Sequence, residues 1–245
     1  MSDKTIIEKQ SRPGKYHFQR GLRDGLPVAI GYLPIAVTFG VISRTAGLPS
    51  LAAVLMSLLV FAGASQFVAV ELIAAGAAFP GIVATTFFVN LRHILMSATV
   101  SEKLPGLSRG WLAVLAFGIT DESFSLLATD RRHRLPAFYV LGVILLPYLA
   151  WTAGSAAGVV LGGQLPGMLE SSMEIALYAM FLGLIAPEIK SSSSKLKVAL
   201  IALALSSLIS WNPLHNISQG WRITLSTVGA AFLGAVIFTG DDKDE

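Results

Sequence analysis

The chain has 245 residues, 53% of them apolar and only 13% charged, with a mean hydropathy of +0.67. A charged fraction about half the usual quarter excludes an ordinary soluble domain, a disordered chain and a coiled coil. The net charge of +3, from 18 Lys/Arg against 15 Asp/Glu, is too small and too scattered for a nucleic-acid footprint, and the absence of cysteine removes a disulfide scaffold and a thiolate metal site. What remains is an all-α polytopic membrane protein.

Residues 1–25 form a polar, basic segment carrying Lys4, Lys9, Arg12, Lys15, Arg20 and Arg23, with no apolar stretch of the kind a cleavable signal peptide requires. Residues 26–239 read as a single transmembrane domain and 240–245 as an acidic tail. A spanning helix needs about 20 apolar residues. Eight stretches fit, near 26–43, 51–76, 79–100, 111–128, 136–162, 172–187, 197–212 and 221–239. Their mixed Leu, Ala, Val, Ile and Gly show no strict alternation, which favours helices over barrel strands. Two of them, 172–187 and 197–212, are only about 16 residues or ~24 Å long. They fit either short spans or a re-entrant pair.

With the N-terminus in the cytoplasm, thirteen Lys/Arg fall on or beside the inner segments. Four fall outside: Arg44, Lys103, Arg109 and Arg222. That bias follows the positive-inside rule and places both termini and the loops 129–135 and 188–196 inside. A faint internal repeat pairs Leu33-Pro34 with Leu146-Pro147 and Leu48-Pro49 with Leu165-Pro166. Duplicated halves are common among transporters, yet recurrence of Pro at helix kinks and ends accounts for these pairs as well.

Three apolar stretches carry polar clusters. Residues 61–67 read Phe-Ala-Gly-Ala-Ser-Gln-Phe, with Glu71 one turn on; residues 90–93 read Asn-Leu-Arg-His; residues 120–124 read Thr-Asp-Glu-Ser-Phe. Ionisable groups in a bilayer are costly and face a cavity or a partner, so three clusters in successive stretches predict one shared polar interior. Gly63 and Ser65 allow close backbone approach or an opened helix, and Gln66 offers both donor and acceptor. Close helix packing with an interhelical Gln66 hydrogen bond is the competing interpretation. Arg92 suits a bidentate grip on a carboxylate, or equally an ion pair with Glu71, Asp121 or Glu122. Asn90 and His93 share a helix face. His93 is either a proton relay or a packed imidazole donating to a backbone carbonyl. Asp121 and Glu122 are adjacent and so cannot share a helix face. Either one is a proton carrier or a fixed counter-ion.

Gly154, Gly158 and Gly162 line one face of the fifth stretch and mark close contact, with a partner helix or within this chain. No H-E-x-x-H, G-x-S-x-G or P-loop is present, and His17, His93, His133 and His215 are scattered. The chain is therefore expected to be no enzyme and to need neither metal nor cofactor.

In this order and spacing the three clusters resemble the AzlC-type (YgaZ-like) branched-chain amino acid exporters. Residues 61–67 resemble the family's aromatic-A-G-A-S-Q-F segment, Asn90-Leu-Arg-His93 its R-H-containing third segment, and Ala116–Phe124 its A-F-G-x-T-D-E-x-F segment. Gly21–Pro27 with Leu33-Pro34 resembles its start. The match covers about residues 20–130; the second half agrees only in hydropathy and length. The resemblance implies a large subunit that exports leucine, isoleucine and valine, with methionine a further candidate, from a bacterial cytoplasm, alongside a small AzlD-type membrane subunit. On this reading Gly63, Ser65, Gln66, Asn90 and Arg92 bind substrate. Glu71, His93, Asp121 and Glu122 serve proton coupling or ion pairing. The missing ATP motif leaves secondary transport, with proton antiport the expected coupling. A channel or receptor without coupled transport, and an intramembrane hydrolase, are the competing functions.

Overall fold

The computed structural model describes residues 14–162, 192–211 and 219–238, with Leu182, Ala186, Ile189 and Lys190 between them. The 172–187 stretch thus lies outside the described residues apart from Leu182 and Ala186. All described regular structure is helical. The elements are α1 (Gly14–Thr45), α2 (Ser50–Leu59), α3 (Gly63–Ala74), α4 (Phe79–Glu102), α5 (Arg109–Phe117), α6 (Asp121–Ala128), α7 (Ala137–Leu161), α8 (Ser193–Trp211) and α9 (Gln219–Ile237). Four of them, α1, α4, α7 and α8, are long and apolar enough to cross a bilayer. Helix α1 begins twelve residues before the expected span, so part of the basic N-terminal segment is itself helical.

The frame is the pair α1 and α7. Gly21 lies on Tyr139 and Gly142, Gly25 on Val143, Gly40 on Ser155 and Gly158, and Gly162 on Val41. Both numbers rise together, so the helices run parallel. They touch backbone to backbone: a methyl group on Gly158 would sit 2.1 Å from the Val37 carbonyl oxygen, and one on Gly21 2.2 Å from that of Tyr139. The glycines of the fifth stretch are therefore used inside this chain, against a matching stripe of Gly21, Gly25, Ala29, Ala36 and Gly40. In a bilayer such small-residue faces allow the close van der Waals contact that drives helix association. The two helices that carry Pro34 and Pro147 are thus direct partners; Pro166, of the second expected pair, lies outside the described residues.

Two of the expected spans do not cross. The 51–76 stretch breaks at Val60-Phe61-Ala62, where Phe61 adopts the left-handed φ of 45°. Helix α2 descends from Leu48, bonded to Ser43 at the end of α1, until Ser57 meets Ser155 and Phe61 meets Tyr32. Helix α3 then climbs back, bringing Phe67 to within 5.4 Å of Phe39, about two turns nearer the α1 C-terminus than Tyr32. The 111–128 stretch breaks at Gly118-Ile119-Thr120 and also turns back. Its far end returns to its starting face: Lys103 Nζ donates to the carbonyls of Leu127, Ala128 and Asp130 at 2.7–2.9 Å, and Leu135 N donates to the Lys103 carbonyl at 2.8 Å. At 8 to 12 residues each, the four half-helices reach about 12–18 Å, half of a ~30 Å hydrocarbon core.

The molecule is thus built from full-length helices with two re-entrant hairpins, α2–α3 from the face where α1 ends and α5–α6 from the face where it begins. This corrects the expected topology. Lys103 and Arg109 stand on the same face as the 129–135 loop, not opposite it. The second and fourth stretches are re-entrant; α8, at 19 residues, is long enough to span, while its expected partner 172–187 lies outside the described residues. Non-helical backbone at membrane depth is tolerated only where protein or a water-filled cavity surrounds it. Both hairpin tips satisfy that condition by meeting one another. Helices α8 and α9 form an antiparallel pair, Gly234 on Val198 and Gly229 on Leu205, and α9 packs on α4.

Candidate functional site

The hairpin tips, α1, α4 and α7 enclose a cavity of about 60 Å³, several times the roughly 10–15 Å³ that one water needs. Its lining divides by chemistry. Tyr32, Ile35, Phe61 and Trp151 make an apolar and aromatic side; Arg92, His93, Asp121 and Glu122 make a charged side; Ala62, Gly63 and Ala64 offer backbone.

The charged side exists because α6 starts there. Gly118 ends α5, and Thr120 caps α6 with a reciprocal Thr120–Ser123 capping box. Asp121 and Glu122 follow as the first two helical residues, where the helix dipole favours negative charge. Both reach the cavity from adjacent positions because neither lies in the middle of a helix. Arg92 Nη1 pairs with Asp121 Oδ2 at 3.0 Å. Their side chains stay 41% and 39% exposed, so the pair stands at an open mouth where a ligand can reach it. Glu122 accepts a hydrogen bond from the Tyr32 hydroxyl. His93 Nδ1 lies 2.9 Å from the Ile119 carbonyl, which fixes the proton on Nδ1 and turns Nε2 away from that bond.

The α2–α3 tip is closed by neutral bonds. Gln66 is buried; its Oε1 accepts from Trp151 Nε1 and from Ala62 N, both at 3.1 Å, and its Nε2 donates to Ser57 Oγ at 3.2 Å. Ser57 Oγ donates to Ser155 Oγ at 2.7 Å, and Ser65 Oγ donates to the Ala62 carbonyl. A Cβ on Gly63 would sit 2.8 Å from the Trp151 ring, so only glycine lets the tip close on that indole.

Of the nine residues singled out in the sequence, five line the cavity: Gly63, Arg92, His93, Asp121 and Glu122. Ser65 and Gln66 brace the α2–α3 tip behind it. Asn90 lies one turn from His93 on α4 but off the cavity, with its Oδ1 buried and without a partner among the described residues. Glu71 sits two turns beyond Gly63, about 12 Å along α3 and outside the lining. Sequence reasoning missed Tyr32 and Trp151. Both have a polar tip on an aromatic body within an apolar helix, a pattern that marks a ring with a buried hydrogen-bond partner.

The profile of the AzlC protein family matches residues 27–165, which contain the whole cavity. An uncharacterized membrane protein of Archaeoglobus fulgidus is 35% identical over 190 residues, covering 77% of this chain and 83% of its own. Inner membrane protein YgaZ of Escherichia coli is 29% identical, covering 80% and 83%. The branched-chain amino acid transport protein AzlC of Bacillus subtilis is 28% identical, covering 64% and 62%. No solved structure matches.

Proposed function

The chain belongs to the AzlC family and is a multi-pass protein of the cytoplasmic (inner) membrane, and from that premise we propose that it exports branched-chain amino acids as a secondary transporter. The single observation that carries this is the Arg92–Asp121 pair at the mouth of an aromatic-walled cavity between two half-helix tips. A leucine, isoleucine or valine zwitterion has a carboxylate, an ammonium and an apolar branch. Arg92 takes the carboxylate in a two-point grip, with Gly63 and Ala64 backbone at the start of α3 beside it. Asp121 and Glu122 face the ammonium. Tyr32, Ile35, Phe61 and Trp151 receive the branch. Discontinuous helices meeting near the membrane midplane are the usual frame of a transporter site.

The charge distribution supports a cytoplasmic N-terminus. Lys15, Arg20, Arg23, Lys103, Arg109, Arg131, Arg132 and Arg134 cluster on the face where α1 begins, whereas Arg44 is the only Lys or Arg of α1–α7 near the other. Moving Lys103 and Arg109 to the inner face makes the bias steeper than the sequence alone gave. Export is coupled to inward protons, and a small AzlD-type subunit completes the transporter; the relative named for branched-chain transport supports the substrate class. The glycine face of α7 is already occupied by α1, so that subunit docks elsewhere. The test is reconstitution of the chain, alone and with the small subunit, followed by labelled leucine under an imposed pH gradient. Accumulation driven by the gradient supports the reading, whereas equilibration that ignores the gradient means a channel.

A further inference from the structure

Resting on the transport reading above, we propose that Glu122 is the carboxylate that proton and substrate ammonium occupy in turn, making exchange obligatory at a single side chain. The geometry separates the two acids of the cavity. Asp121 is committed to Arg92 at 3.0 Å. Glu122 has no ion pair among the described residues; its partner is the neutral hydroxyl of Tyr32. Among the described residues the other groups facing it are these. From α1 comes Tyr32, from α4 come Arg92 and His93, and Asp121 is its neighbour on α6. The α2–α3 tip and α7 bring only uncharged groups, Phe61, Ala62, Gly63, Ala64 and Trp151. Glu71 lies outside the cavity.

A carboxylate at membrane depth needs a cation or a proton. In the empty site Arg92 serves Asp121, and Glu122 takes a proton from water on the side to which the cavity is open. In the loaded site Arg92 keeps Nη1 on Asp121 and takes the substrate carboxylate on its remaining guanidinium donors, Nε among them, and the ammonium faces Glu122. The ammonium then supplies the cation, and Glu122 gives its proton to water. The balance per cycle is one zwitterion out and one proton in, so one positive charge enters. The cycle is therefore electrogenic and responds to both pH gradient and membrane potential. Proton and ammonium cannot share Glu122, so neither leaks without the other.

The test uses the full chain together with the small subunit, with leucine as the probe. In weakly buffered detergent solution with a pH dye, leucine added to the wild type releases about one proton per leucine bound. Glu122→Gln binds leucine and releases none. In vesicles it exchanges leucine for leucine but does not accumulate it under a pH gradient. Proton release or gradient-driven accumulation by this variant overturns the proposal, as does loss of exchange in a folded Glu122→Gln protein. Should Glu122→Gln fail to fold, Tyr32→Phe decides: it removes only the hydroxyl facing the carboxylate, so the pH profile of proton release per leucine bound shifts, whatever transport rate remains. An unshifted profile overturns the proposal. A wild type that neither binds nor exchanges any aliphatic amino acid defeats the transport reading itself. One that exchanges leucine without releasing a proton defeats only the role of Glu122.

Discussion

The two re-entrant hairpins have the same shape and opposite chemistry. At the α2–α3 tip the bonds are neutral and buried: Gln66 to Trp151, Ala62 and Ser57, and Ser57 to Ser155. Aromatic packing seals it, with Tyr32, Phe39 and Phe67 all against Trp151. At the α5–α6 tip the bonds run through ionisable side chains: Arg92 to Asp121, Tyr32 to Glu122, and His93 to the Ile119 carbonyl. A zwitterion cannot compete for the first set, which is internally satisfied and out of reach. It can compete for the second, because it brings a carboxylate and an ammonium to an open mouth. One tip is a fixed wall, and the other is where ligand chemistry meets the fold.

The sharpest way to break this comparison is at Arg92. Arg92→Gln removes the only Lys or Arg that lines the cavity among the described residues and should abolish leucine export while the protein still purifies as a monodisperse species. Lysine keeps the charge but loses the planar fork, so Arg92→Lys should fold and export at a small fraction of the wild-type rate. Wild-type export by the lysine variant rules out the two-point grip.

On the wall side the largest effect should be on stability. Gln66→Leu leaves Trp151 Nε1 and Ala62 N buried without an acceptor, at about 1–3 kcal/mol for each donor. A clear fall in melting temperature in detergent is expected, with little change in the pH dependence of whatever transport survives. A normal melting temperature would place Gln66 outside the bracing network.

At the base of α5–α6, Lys103→Met removes three charge-assisted bonds to the end of α6. It should cost about 2 kcal/mol and loosen the hairpin without erasing transport. The same region tests the topology. Cysteines introduced singly at Pro105 and His133 should be labelled by an impermeant reagent from one side of the membrane, and those at Pro49 and Ala78 from the other. Labelling of Pro105→Cys and His133→Cys from opposite sides would turn α5–α6 back into a span.

The smallest effect lies in the 129–135 loop. Burial pushes the Asp130 carboxyl up, but hydrogen bonds from the Arg132 side chain and backbone, with its charge, outweigh this and hold it below the usual carboxylate range. A depressed carboxylate stabilises the fold above its unfolded pKa, and that contribution is lost as pH falls through the folded value. Asp130→Asn should therefore cost less than about 1 kcal/mol at neutral pH. The difference from wild type should shrink as pH falls below the ordinary carboxylate range, read from melting temperature against pH.

Much of the site was legible. Arg92, His93, Asp121 and Glu122 stand out because charge in an apolar stretch demands a partner, and the cavity brings them together. The break at 60–62 was half visible, since the adjoining Gly63 among small residues permits an opened helix. The break at 118–120 had a signal that went unused. Gly118 followed by Thr120-Asp121-Glu122 is a helix stop and then a cap with an acidic first turn. Taken as the interior of one helix, the same residues suggest that the two acids point apart.

The sequence by itself determined that the chain lives in a membrane, that its apolar stretches are helical and which polar residues lie at depth, because hydropathy and charge cost are local properties. It also contained the glycines of α1 and α7. Only the tertiary structure decided that those glycines face each other, and that two apolar stretches turn back instead of crossing. A broken helix has the same hydropathy whether its second half continues or reverses. The direction is fixed by contacts between residues far apart in the chain, Phe67 on Phe39 and Lys103 on the end of α6.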